Sequence, residues 1–292
     1  MPLLGAHISI SQGIDKAILR GSEIGCEVIQ IFTRFRQTWK AKDLQSDEID
    51  RFKSTLKDHR LNVVAIHGSY LINLASPERR KRYASISLLK REMDWADRLD
   101  IPYVVVHPGS HMGDGEERGI DRVVSSLDRL FSSNLSIKSM LLIETTAGQG
   151  NSLGYKFEHI GIILERCHYR DRLGVCLDTC HIYSAGYDFR NKEGYKRVID
   201  EFEREIGLEN LCLFHLNDSK AKLGSRIDRH THIGEGNIGL KGFSNLLNDP
   251  LFSNHPFLIE TPKGKDEDGI DYDRKNLIIL RSLIGRERDD HL

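Results

Sequence analysis

His7, His67, His107, Glu144, Asp178, His215 and Glu260 each close a short apolar run of the chain, and Thr33 closes an eighth. Imidazole and carboxylate are the side chains that bind borderline divalent cations and move protons near neutral pH. With 13 His and 43 acidic residues in 292, eight arbitrary positions would hold about one or two such groups; these hold seven. Carboxylates that converge out of water need a compensating cation, and so many donors predict more than one ion. Two pairs enlarge the set: Asp178 with His181 in LDTCH, and Asp228 with His230 in SRIDRH. On an extended segment, Asp228 and His230 point the same way and can clasp one ion. Cys176 and Cys180 alternate with Asp178, but both are expected to pack in the core rather than to ligate. A His and carboxylate set without thiolate suits a catalytic site with open positions better than a closed structural zinc site.

The runs carrying these residues are LLGAH (3–7), VIQIFT (28–33), VVAIH (63–67), YVVVH (103–107), MLLIE (140–144), GVCLD (174–178), LCLFH (211–215) and PFLIE (256–260). Near-continuous apolarity is how strands buried on both faces of a parallel sheet read. Helical patterns lie between them, at about 13–25, 46–59, 117–132, 155–168, 192–206, 240–248 and 271–285. One more opens at Ser76-Pro77-Glu78, with Ser as cap and Pro at the first position, and buries Tyr83, Ile86, Leu89, Met93 and Ala96. Strict alternation of eight strands and eight helices predicts an α/β fold, a (β/α)8 TIM barrel spanning 1–292 as a single domain. The doubly wound alternative lacks a GxGxxG turn after any strand. In a barrel the strand C-termini share one mouth, so the residues above should meet there.

Formal net charge is -1, from 42 basic and 43 acidic side chains, which argues against a globally basic coat. The loops after the strands are another matter. Arg34, Arg36, Lys40 and Lys42 interleave with Phe35 and Trp39; Arg79, Arg80, Lys81 and Arg82 cluster early in the third helix; Lys220, Lys222, Arg226 and Arg229 follow the seventh strand. Such a rim suits a phosphate-bearing substrate, although Glu116, Glu117, Asp266, Glu267 and Asp268 occupy other loops of the same face. Five cysteines, an odd number, argue for a reducing compartment. No apolar run approaches the ~18–20 residues of a membrane span, and the start MPLLG carries no signal-peptide pattern. A cytoplasmic monomer without membrane association is the expectation.

The segments GAHIS (5–9), HGSYLINL (67–74), HPGSH (107–111), IETTAGQG (143–150), GVCLDTCH (174–181), HLNDSKAKLGSRIDRH (215–230), GEGNIG (234–239) and LIETP (258–262) together resemble the endonuclease IV family. The resemblance covers nearly the whole chain. It implies a zinc-dependent endonuclease that cuts duplex DNA 5′ to abasic sites and leaves a 3′-hydroxyl, with 3′-end trimming as a further activity. It implies three Zn2+ per chain, with Mn2+ able to replace zinc at some positions. His67, His107 and Glu144 would hold the first ion; Glu144 would bridge to the second, held also by Asp178, His215 and Glu260; His181, Asp228 and His230 would hold the third. Glu144 and Glu260 would be catalytic, Glu260 by orienting the attacking water. His7 and His111 would support ligands from behind.

For DNA, the resemblance places Tyr70 and Leu71 where the family inserts side chains into the gap left by the missing base, a lesion that is cheap to flip out. The loop after the second strand departs from the family pattern. Gln37 stands at the position of the intercalating arginine, Arg36 one residue earlier, and Phe35 is an alternative wedge. Thr231 stands where His is common after the Asp-x-His pair. Two rival readings remain: a metal-dependent sugar isomerase or epimerase on the same barrel, and a non-catalytic binder of damaged DNA. The intact ligand positions and the third-ion pair Asp228/His230 favour the nuclease.

Overall fold

The structure, a computed structural model, describes residues 2–33, 43–133 and 136–285. Its strands are β1 (Leu3–Ile8), β2 (Val28–Ile31), β3 (Asn62–His67), β4 (Tyr103–Val106), β5 (Met140–Glu144), β6 (Leu173–Asp178), β7 (Leu211–His215), β8 (Asp218–Ser219), β9 (His230–Thr231) and β10 (Pro256–Ile259). Eight of them close into a parallel barrel in the order β1-β10-β7-β6-β5-β4-β3-β2, while β8 and β9 form a small antiparallel pair. The helices are α1 (Ile14–Ile24), α2 (Ser46–Lys57), α3 (Arg79–Leu99), α4 (Glu116–Ser132), α5 (Phe157–Arg166), α6 (Thr179–Ala185), α7 (Lys192–Glu205), α8 (Gly239–Leu247) and α9 (Tyr272–Leu283). The predicted TIM barrel is therefore the fold. Among the described residues no helix is long and apolar enough to cross a membrane.

Two local expectations are corrected. Helix α3 begins at Arg79 with Glu78 as its cap, not at Pro77 with Ser76 as its cap: the Ser76 hydroxyl accepts the Glu78 amide at 3.2 Å and closes a short turn before the helix. The basic first turn has no acidic residue of its own, but Lys81 pairs with Glu78 at 2.6 Å and Arg82 donates to the Ser76 carbonyl at 2.6 Å. Helix α6 is absent from the sequence-based expectation. Asp178 ends β6 and caps α6 at once, its side chain accepting the His181 amide at 2.9 Å. That oxygen satisfies a helix-end donor and fixes Asp178 relative to His181.

Helices cover the outside of the barrel through apolar stripes. In α4, Ile120, Val123, Leu127 and Leu130 recur at spacings of three and four and are buried. Inside, Val28, Ala65, Val105, Leu142, Cys176, Leu213 and Leu258 form a cluster with no solvent exposure. Each comes from a different strand. In β1 the equivalent position is Gly5, paired in register with Val28 and Leu258. A Cβ on Gly5 would lie 1.6 Å from the Val28 carbonyl oxygen, so only glycine fits. This floor is close-packed, and truncating one of its leucines to alanine is expected to cost about 2–5 kcal/mol.

The floor explains the site. Side chains two residues apart on a strand point the same way. Two residues beyond the floor stand His7, Gln30, His67, His107, Glu144, Asp178, His215 and Glu260. The strand twist and closure therefore aim all eight into the barrel mouth.

Candidate metal centre

Seven of these eight are the His, Asp and Glu residues singled out from the sequence. The eighth is Gln30, not Thr33. Strand β2 ends at Ile31, and the Thr33 hydroxyl donates to Glu92 on α3. The available signal was Gln30 itself, the one polar side chain inside VIQI and fully buried.

Among the described residues, three groups built from His, Asp and Glu alone lie close enough to share an ion. His67, His107 and Glu144 form one, Glu144, Asp178, His215 and Glu260 a second, and Asp178, His181 and His230 a third, each with its atoms within 4.8 Å of one another. Asp228 joins the last group, at 3.2 Å from His181 Nε2 and 3.3 Å from His230 Nε2. The loop from β8 to β9 thus delivers Asp228 and His230 together, as their spacing implied. Glu144 links the first two groups. Its Oε2 is 3.2 Å from His67 Nε2 and 3.1 Å from His107 Nε2, and its Oε1 is 2.9 Å from His215 Nδ1.

Backbone and side-chain partners orient the rings. His67 Nδ1 is 2.8 Å from the Gly68 carbonyl, and His181 Nδ1 is 2.8 Å from the Thr145 carbonyl. Both rings therefore present Nε2 to the centre. His215 is turned round: its Nε2 is 3.0 Å from Gln30 Oε1, and Nδ1 faces Glu144. Asn217 donates to Asp178, and the Thr145 hydroxyl accepts the Asp178 amide at 2.9 Å. Neither Asn217 nor Thr145 was singled out from the sequence. Both are short polar residues one or two positions after strand ends, a place shared with many ordinary turns.

The electrostatics describe a centre short of positive charge. Burial alone would raise the pKa of Glu144, but the charges of His107 and His215 and their hydrogen bonds hold it well below the usual range. Burial likewise opposes ionisation of Glu260, and chiefly the His215 charge reverses it. The imidazoles respond in kind. Burial works against a charged His67, yet the Glu144 hydrogen bond and the Glu260 and Glu144 charges bring it up to about 9. His230 rises to about 8 and His181 well above its ordinary value, in both cases against burial and chiefly through Asp178 and Asp228. Protons thus take the place that cations would fill. His7 is the exception: burial pushes it down to about 4, so it stays neutral beside Glu260, 3.2 Å away.

The residues fit resident divalent cations. The donors are nitrogen and oxygen, and His230 Nε2 is buried without a hydrogen bond although it faces the other donors. Cys176 and Cys180 also approach these groups. Burial pushes the Cys180 thiol up to about 12 and the Cys176 thiol well above its usual value. Cys176 belongs to the apolar floor, as expected.

At the rim, Tyr70 is 56% exposed, with its ring 5.6 Å from that of His67 and 5.8 Å from that of Phe32. Leu71 is half-buried against the core. A cavity of about 190 Å3 lined by His67, Tyr70, Asn73, His107, Ser110 and Ser152 opens beside the first donor group. His111 Nδ1 accepts the Gly115 amide at 3.0 Å, in the turn leading into α4. Phe35, Arg36 and Gln37, with Arg34, Trp39, Lys40 and Lys42, lie outside the described residues.

Residues 19–282 match the family described as Xylose isomerase-like TIM barrel. The chain is 47% identical over 284 residues to a probable endonuclease 4 of Chloroflexus aurantiacus, covering 97% of this chain and 99% of that one. It is similar in structure to endonuclease IV from Thermus thermophilus, with TM-score 0.82 and 34% identity, covering 97% of this chain and 98% of that one. A D-psicose 3-epimerase from Clostridium cellulolyticum shares the fold alone, with TM-score 0.68 and 13% identity over 97% of this chain and 99% of that one. With relatives near half identity across almost its full length, the chain belongs to the endonuclease IV family.

Proposed function

We propose that this protein is a DNA repair endonuclease that hydrolyses the phosphodiester 5′ to an abasic site in duplex DNA and leaves a 3′-hydroxyl. Its cofactor would be three Zn2+ per chain, with Mn2+ admissible at some positions. The observation that carries the reading is the convergence of nine His, Asp and Glu side chains on three donor groups that share Glu144 and Asp178. His67, His107 and Glu144 would hold one ion, Glu144, Asp178, His215 and Glu260 the second, and His181, Asp228 and His230 the third. Bound there, the ions would activate water near neutral pH and offset the charge that builds on the phosphoryl and leaving oxygens.

The remaining work falls to the chain. Glu260 has Oε1 engaged by Gln30 at 2.7 Å, while Oε2 faces His215 at 3.6 Å; held in this way, the carboxylate would orient the attacking water. Tyr70, exposed over the first donor group, would enter the DNA beside the missing base, with Leu71 behind it. The cavity between Tyr70 and His107 would receive the baseless sugar. Phe35, Arg36 and Gln37 would supply the second insertion, and the basic residues of the rim the phosphate contacts. His7 would steady Glu260 from behind, and His111 the loop after β4. The same centre would trim blocked 3′ ends. We place the protein in the cytoplasm, acting as a monomeric single domain.

The test is a purified zinc-loaded sample offered an abasic-site duplex and, separately, a ketose. Nicking of the duplex with about three zinc ions per chain supports the endonuclease. Turnover of the sugar with one ion, or tight DNA binding without nicking, overturns it.

A further inference from the structure

Gln30 is the one member of the ring of eight inward side chains that is not His, Asp or Glu, and it stands between His7 on one side and the β3 strand on the other. It is fully buried. Its Nε2 lies 2.7 Å from Glu260 Oε1 and 2.9 Å from His7 Nδ1, and its Oε1 lies 3.0 Å from His215 Nε2. The chemistry of the neighbours fixes which end of the amide is which. An ionised carboxylate offers only lone pairs, so the atom facing Glu260 must be the NH2 group. The carbonyl oxygen then faces His215, and it can only accept. His215 Nε2 must therefore carry a hydrogen.

We propose that Gln30 is a positioning residue for the second ion: it makes His215 offer Nδ1 and Glu260 offer Oε2. This rests on the metal reading above and extends it to a residue outside the donor set. His67 and His181 have Nδ1 tied to backbone carbonyls and present Nε2. For His215 the Gln30 side chain plays the part that a backbone carbonyl plays for those two rings. One amide thus sets a ring nitrogen and a carboxylate oxygen of the same donor group, at the exits of β7 and β10. Partners of this kind are typically worth about 10–100-fold in metal affinity.

The test compares the intact protein with Gln30→Met, which keeps the length and loses all three hydrogen bonds, and Gln30→Glu, which keeps the acceptor for His215 but sets a like charge beside Glu260. Zinc is titrated against a chromophoric chelator, and the imidazole 15N shifts of the zinc-loaded samples are recorded. In the parent, His215 is expected to show a protonated Nε2 and a zinc-bound Nδ1. In Gln30→Met, one of the bound ions should weaken about 10–100-fold and that His215 pattern should broaden or change. Gln30→Glu should weaken the same ion while keeping the His215 pattern. A Gln30→Met protein whose zinc affinities and His215 shifts equal those of a zinc-binding parent overturns this proposal alone. A parent without tight zinc overturns both this proposal and the function proposed above.

Discussion

Asn217 donates through Nδ2 to Asp178 Oδ2 at 2.6 Å and accepts the Glu260 amide on Oδ1 at 2.7 Å. One fully buried amide therefore ties together the exits of β6 and β10, the two strands that bring carboxylates to the second donor group along with Glu144 of β5. Asn217→Ala removes both bonds and leaves the Glu260 amide without this partner. We expect about 1–3 kcal/mol lower stability and one zinc ion bound about 10–100-fold more weakly. A thermal melt of the metal-free protein and a chelator competition would measure the two effects separately.

Glu260→Gln keeps the shape of the side chain and removes its charge. Turnover on abasic duplex should fall by orders of magnitude, while fold and DNA affinity stay close to the parent. Near-normal turnover would remove Glu260 from the chemistry.

Tyr70 is more than half exposed, and its ring meets Phe32 and His67 at ring-contact distance. Tyr70→Ala should therefore leave the melting temperature nearly unchanged and weaken binding to abasic DNA. Base-stacking side chains typically contribute about 1–3 kcal/mol. Arg36→Ala and Phe35→Ala, tested beside it by gel shift, identify which side chain of that loop also enters the duplex. If neither alters affinity, the loop is not an insertion device.

Removing the ions should destabilise the fold, because four carboxylates are brought together with too few cations. One site at a free zinc concentration a thousand times its Kd adds about 4 kcal/mol, and for a chain of this size each kcal/mol moves Tm by roughly 2–4 °C. A chelator-stripped sample should melt lower, and its Tm should climb with added zinc. A Tm indifferent to zinc contradicts the ligand set.

A pH dependence outside the candidate metal centre is expected at Glu116. Burial raises its pKa, but hydrogen bonds from Tyr155 and Lys156 and the charge of His159 outweigh that and bring it down to about 2, below the ordinary 4.5. A carboxylate depressed in the folded state stabilises it fully above the unfolded pKa and loses that contribution as pH falls through the folded one. The parent should thus be more stable than Glu116→Gln above pH 4.5, and the gap should close between 4.5 and about 2. Parallel urea titrations at several pH values would show a constant gap if the assignment is wrong.

The apolar runs and their chemical last residues determined the barrel and most of the candidate metal centre. Strand burial and side-chain alternation are local properties, and the barrel puts every strand exit on one face. Asp228 and His230 were legible for the same reason: two residues apart, they travel together wherever their loop goes. What only the tertiary structure decided is how the donors are held. That Gln30 rather than Thr33 completes the ring depends on where β2 stops pairing, and that Asn217 and Thr145 brace Asp178 depends on contacts 33–39 residues apart in sequence. That His215 turns its Nδ1 inward, where His67 and His181 present Nε2, depends on an amide 185 residues away. Hydrogen-bond direction is set by what lies opposite in space, and a linear pattern carries no record of it.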